Sequence, residues 1–191
     1  MTTHGSKVSA ESVLPPRSSL RIETRRLSPN GNFPNNPGLP VLIYRGGFPP
    51  MAVDELEESF RALFESNGWS GCWRSGIYDF HHYHSNAHEV LGACAGHALL
   101  ELGGTDGAMV ELWPGDVILL PAGTAHRKVS STPDFEVLGA YPGGKGWNMR
   151  YGTKEELAEA PSQIGQVPLP NDPVFDGGGP VASHWKDRMN H

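Results

Sequence analysis

The chain has 191 residues, with 15 Lys and Arg against 21 Asp and Glu and a formal net charge of −6. That is the length of one ordinary domain with tails, long enough to bury a sizeable core, and the lack of any basic block argues against nucleic acid or an anionic membrane as partner. Charged residues are only 19% of the chain, whereas Gly (24) and Pro (17) are abundant, so turns are many and long helices cannot dominate.

Residues 1–19 are rich in Ser, Thr and Pro without periodicity and read as a loose tail. They contain no apolar block of the signal-peptide kind, and the longest apolar runs, Val41–Tyr44 and Val117–Leu120, fall far short of the roughly 20 residues of a membrane span. Cys72 and Cys94 form no paired spacing, so a cytoplasmic setting is expected. Ser19–Leu27 alternates as a strand with Leu20, Ile22 and Thr24 on one face, Pro29–Pro40 is a structured loop, and Leu42–Tyr44 is a short buried strand.

Val53–Asn67 carries Leu56, Phe60, Leu63 and Phe64 at helical spacing, with acidic residues in its first turns and Gly68 at its end. It reads as a helix on the outside of a sheet, with Trp69 and Trp73 anchoring it to that sheet. Beyond it, short apolar runs alternate with turn signals: Gly76–His84, Glu89–Ala95, His97–Leu102, Ala108–Leu112, Asp116–Leu120, His126–Ser130 and Phe135–Tyr141. Seven short strands at this spacing indicate an antiparallel sandwich or barrel. A short helix, Lys154–Ala160, is capped by Thr153, and the last thirty residues read as an arm laid along a surface.

Four of the nine histidines fall between residues 81 and 88. On extended backbone His82 and His84 share a face, so both imidazoles can serve one metal ion. A turn at Ser85–Ala87 returns the chain to Glu89, whose carboxylate can reach the same ion, and His126 begins a later strand after a Pro/Gly turn. His81 and His88 have the opposite parity to His82 and Glu89 and are expected at the surface or behind the ligands.

Gly76-x5-His82-x-His84-x4-Glu89-x6-Gly96 and Gly115-x5-Pro121-x-Gly123-x2-His126 resemble the two signatures of the cupin superfamily, with Ser130 where that family usually has Asn. Asn35-Asn36-Pro37-Gly38-Leu39-Pro40, Asn67-Gly68-Trp69, His81-His82-Tyr83-His84 and Gly139-Ala140-Tyr141-Pro142 resemble its single-domain, YjlB-like members. The resemblance implies an all-β fold, an antiparallel jelly-roll barrel with one packed helix and extended N- and C-terminal arms. Its bounds are then a tail at 1–19, the barrel domain at 20–141 and an arm at 142–191.

It further implies a metal site formed by His82, His84, Glu89 and His126. Such ligands suit one divalent transition metal, Fe(II) favoured, with Mn, Ni, Co or Zn also compatible. Tyr78 and Phe80 share the inward parity of His82 and His84, and line the pocket or merely fill the barrel. Leu91 runs inward with Glu89. Lys128 shares parity with His126 and faces either an anionic substrate or the solvent at the rim. The expected pocket set is Tyr78, Phe80, Leu91 and Lys128, with Tyr78 and Glu89 the catalytic candidates. The expected activity is a metal-dependent, dioxygenase-like reaction on a small-molecule substrate. A non-oxidative isomerase, lyase or decarboxylase and a non-catalytic binding barrel are the alternatives. A homodimer is expected from the additional N-terminal strand and the C-terminal arm.

Overall fold

The computed structural model describes residues 20–185, which contain nine strands and three helices. The strands are β1 (Arg21–Arg25), β2 (Val41–Arg45), β3 (Trp69–Ser75), β4 (Glu89–Ala95), β5 (Ala98–Leu102), β6 (Ala108–Leu112), β7 (Val117–Leu120), β8 (His126–Ser131) and β9 (Glu136–Pro142). The helices are α1 (Val53–Ser66), α2 (Lys154–Gln166) and α3 (Gly179–His184). None of them is long and apolar enough to cross a membrane. The loose tail expected at 1–19 lies outside the described residues.

Six strands form one antiparallel sheet in the order β1-β2-β7-β4-β9-β3, and three form a second in the order β6-β5-β8. The period-two alternation of side chains sorts the large sheet into two apolar faces. Ile43, Leu91, Ile118, Leu120 and Val137 point inward and meet Leu100, Leu102, Val110 and Leu112 of the small sheet to make the barrel interior. Leu42, Tyr44, Val90, Leu119 and Leu138 point outward, under Leu56, Phe60 and Phe64 of α1 and under Val174, Val181 and Trp185 near the C-terminal end. The central strands are therefore covered on both sides, which is why they read as unbroken apolar runs.

The C-terminal segment is a strap docked on the outer face. Asp172 is buried and accepts from the backbone N–H of Val174 (2.9 Å), Phe175 (3.1 Å) and Val181 (3.0 Å) and from the Tyr44 hydroxyl (2.9 Å). Trp185 is fully buried and donates its indole N–H to the Pro40 carbonyl at 2.8 Å. Asn67 and Trp69 hold the same strap through the carbonyls of Pro173 and Asn171.

Three sequence expectations are corrected. Gly76–His84 is not a strand: the ladder of β3 ends at Ser75, and beyond it only His82 and Tyr83 form single bridges, to His126 and Arg150. β3 itself was hidden by its register irregularity between Ser70 and Trp73, which breaks the alternation around Gly71 and Cys72. α2 runs past Pro161 to Gln166, because Ala160 and Ile164, one turn apart, are both buried against Tyr83 and Ala122 and hold the helix together across the missing N–H.

Candidate metal centre

Two backbone features bring the histidines together. His82 and His126 exchange both main-chain hydrogen bonds, 3.2 Å from His82 N to His126 O and 3.0 Å in return, which sets their ring centroids 4.2 Å apart. The Pro121–Gly123 turn that delivers His126 donates the Gly123 N–H to the His84 carbonyl at 2.8 Å. Gly123 has φ of 94°, and a Cβ there would lie 2.6 Å from the Asn35 carbonyl oxygen, so the turn requires glycine. Asn35 and Asn36 pin this turn from the other side, by Ala125 N–H to Asn35 Oδ1 at 3.1 Å and Asn36 Nδ2 to the Ala122 carbonyl at 2.9 Å.

One ring nitrogen from each of His82, His84 and His126, all buried, lies within 4.8 Å of the other two, a group able to hold a metal ion. The Nδ1 of His82 faces the Phe80 carbonyl at 3.1 Å, that of His84 the Asn148 carbonyl at 2.5 Å, and that of His126 the Thr124 carbonyl at 3.0 Å. A carbonyl only accepts, so each Nδ1 carries the hydrogen and each Nε2 can present a lone pair to the centre. Glu89, at the first position of β4, sets Oε2 3.5 Å from His84 Nε2 and 3.4 Å from His126 Nε2. Its other oxygen accepts from the Tyr141 hydroxyl at 2.6 Å, and Tyr141 in turn accepts from the Trp73 indole at 3.2 Å. Among the described residues, Oε2 of Glu89 is buried without a hydrogen-bond partner. An orphaned carboxylate oxygen among three imidazoles is a donor set that fits a divalent transition metal.

The charges agree with that fit. Burial, and then His126, push His82 down to about 3, so it is neutral and ready to ligate. Burial works to raise the Glu89 carboxyl, but the charge of His84 and the close approach of the His126 and His84 rings outweigh it and hold it well below the usual carboxylate range. Burial likewise works to lower His84, and the Glu89 carboxylate overrides it and raises it. Burial first, then Glu89, keep the Tyr141 phenol far above its ordinary value, so it stays a donor. Glu89 and His84 thus each favour the charged form of the other, so a cation bound by the carboxylate competes with protonation of His84.

A cavity of about 290 Å³ opens onto these groups. Tyr78 and Leu91 line it. Phe80 stacks on Tyr78 at 4.8 Å on the outer rim, and Lys128 is half-buried; neither is among the lining residues. His88 is fully buried and faces away from the site, where its Nδ1 accepts the Ala122 N–H at 2.9 Å and its ring meets Trp185 at 4.9 Å. Of the two locations expected for it, at the surface or behind the ligands, the surface is excluded on that ground. His81 sits 3.2 Å from Glu101 with its ring against Phe33.

Sequence reasoning missed the groups behind and around the ligands: Trp73, Tyr141, Trp147, Asn148 and Met149. Asn148 accepts the Ser85 N–H at 2.9 Å and donates to the Ser85 hydroxyl at 2.8 Å, tying residues 146–150 to the chain just after His84. This stretch follows the last barrel strand and has no motif of its own. For Tyr141 there was a signal, its inward parity on β9 opposite Glu89.

No protein-family model matches the chain. An uncharacterized protein, YjlB, of Bacillus subtilis (strain 168) is 40% identical over 157 residues, which are 82% of this chain and 92% of that protein. Among solved structures, the chain is similar to a cupin 2 domain-containing protein from Halorhodospira halophila (12% identity, 81% of this chain and 86% of that one, TM-score 0.34). It is also similar to the acireductone dioxygenase of Bacillus anthracis with cadmium in its active centre (19% identity, 54% and 62%, TM-score 0.33). The extended identity with YjlB, joined to the two histidine motifs and the barrel that carries them, places the chain in the YjlB-like family of single-domain cupins.

Proposed function

We propose that this protein is an enzyme that uses one divalent transition metal, held by His82, His84, His126 and Glu89, on a small molecule, with iron(II)-dependent dioxygenation the favoured reaction. The observation that carries this reading is the convergence of three Nε2 lone pairs and one orphaned carboxylate oxygen in one cavity. When bound, such an ion supplies Lewis-acid polarisation and, as iron, reactivity toward dioxygen. The protein's own groups do the rest. The carbonyls of Phe80, Asn148 and Thr124 fix the imidazoles, and Tyr141 occupies one oxygen of Glu89 so that the other faces the centre. Ile77, Leu91 and Met149 give the cavity part of an apolar wall.

Elemental analysis of protein purified without added metal, followed by oxygen-uptake measurements of the iron-loaded form over a panel of chelating substrates, tests the proposal. Uptake that is lost in His84→Ala supports it, and an iron form inert to the whole panel refutes the oxidative reaction. The Tyr141 hydroxyl, placed in the cavity beside Glu89, favours non-oxidative proton transfer as the second reading. Product formed without oxygen by the Mn or Zn form selects it. We further propose a homodimer joined along β1, which among the described residues has a ladder partner on one side only; elution as a monomer at micromolar concentration refutes it.

A further inference from the structure

We infer that the cavity is built for a small monoanion with a flat apolar body, an aromatic carboxylate or enolate carrying an adjacent oxygen, and not for a phosphate ester, a dicarboxylate or a sugar. This rests on the metal-dependent reading above and names its substrate class.

Size gives the first limit. A water occupies about 30 Å³ in the liquid, so 290 Å³ holds about ten water-sized groups. Charge gives the second. A divalent ion, three neutral imidazoles and one carboxylate sum to a single positive charge, which one anionic group cancels. Among the described residues, Glu89 is the only Asp or Glu on the wall, and no Lys or Arg lines it. A second anionic group would therefore be buried without a counter-charge, at a cost that a site of this polarity does not offset.

The walls give the third. Trp73, Ile77, Leu91, Trp147 and Met149 surround the remaining space. Of the three hydroxyl residues on the wall, Tyr141 is already committed to Glu89 and only Ser75 and Tyr78 remain, so a polyol would leave most of its hydroxyls unpaired. Trp147 and Tyr78 both line the cavity while remaining 42% and 52% exposed, so they stand where it opens. Trp147 stacks against Tyr141 at 5.7 Å and 29°, and lies 5.0 Å from the His84 ring. A planar group entering between Trp147 and Tyr78 continues these stacks.

The test is calorimetric titration of the full-length, metal-loaded chain with mandelate, lactate and malate, which share a 2-hydroxy acid and differ in a ring, a methyl or a second carboxylate. Mandelate is expected to bind about tenfold or more tighter than lactate, from burial of its ring, with malate no tighter than lactate. Trp147→Ala is expected to shrink the mandelate advantage to about threefold or less, and Trp147→Phe to retain it. Metal content is measured on each sample. A chain that takes up no metal overturns the metal-dependent reading and this inference together. A metal-loaded chain that prefers malate or lactate, binds none of the three, or keeps its mandelate preference in Trp147→Ala overturns the inference alone.

Discussion

The indole of Trp73 lies flat over the bare backbone of Gly139 on the neighbouring strand β9. A Cβ at residue 139 would come 2.3 Å from Cε2 and Cζ2 of that ring and 2.7 Å from Nε1. Ordinary carbon contacts are about 3.5–4.0 Å, so in Gly139→Ala the indole must withdraw by more than about 1 Å. Its 3.2 Å hydrogen bond to Tyr141 then breaks, and Tyr141 is the residue that holds Glu89. Overpacking costs about 1–3 kcal/mol and the lost hydrogen bond about 0.5–1.5, for a total of about 1.5–4.5 kcal/mol. At about 2–4 °C per kcal/mol for a chain of this size, the unfolding midpoint of the metal-free protein falls by roughly 3–18 °C. The decisive assay is a double-mutant cycle in chemical denaturation. In a Trp73→Val background the clash is gone, and Gly139→Ala is expected to be neutral or to stabilise slightly, since glycine inside a strand is itself unfavourable. An equal cost in both backgrounds would show that the glycine is not there to make room for the indole.

Three other outcomes follow from the geometry. Asn148→Ala releases the wall from Ser85 and is expected to weaken metal binding by about tenfold in competition with a chelator, as losses behind a ligating histidine do; unchanged affinity would detach this wall from the site. His82 is held at about 3, below its ordinary 6.5, so the stability it confers is complete above pH 6.5 and is lost as pH falls through that window, by up to about 1.4 kcal/mol per unit. Glu89, also lowered, adds loss of the same sign below its ordinary 4.5, whereas the stability from His84, which is raised, is already complete below its ordinary 6.5 and is lost only as pH rises through its raised value, so it leaves the acid slope unchanged. Urea midpoints of the metal-free protein should therefore fall between pH 5.5 and 4, with a shallower fall in His82→Gln, and parallel slopes would contradict the assignment. Asp172→Ala strands three backbone N–H groups and the Tyr44 hydroxyl in the interior and is expected to destabilise by about 3 kcal/mol or more; a midpoint within about 1 kcal/mol of the parent would mean that the strap is held by other contacts.

Much of the barrel and the four converging side chains was legible in the sequence because short-range rules govern both. Glu89–Ala95 and Ala108–Leu112 coincide with β4 and β6, since each is an apolar run bounded by turn residues. His82 and His84 share a direction although their stretch is not a strand, because the alternation needs only extended backbone and not a ladder. What the sequence hid depends on distant partners. β3 carries a register irregularity that only its pairing with β9 makes tolerable. The burial of His88 depends on Trp185, ninety-seven positions away in sequence, and the burial of Trp185 depends in turn on the Pro40 carbonyl. Residues 147–149 line the site because Ser85 and Asn86 bind Asn148, and a segment following the last strand gives no local sign of such an attachment.

The strap also sets a schedule for biosynthesis. Tyr44 emerges early from the ribosome, yet its hydroxyl is met by Asp172, 128 residues later. At about 5–20 residues per second, that interval lasts on the order of ten seconds. Until it has passed, Leu42, Tyr44 and Trp69 have no strap to cover them, and every nascent copy carries an uncapped greasy surface on a half-built barrel. Slow translation in the cold lengthens that exposure.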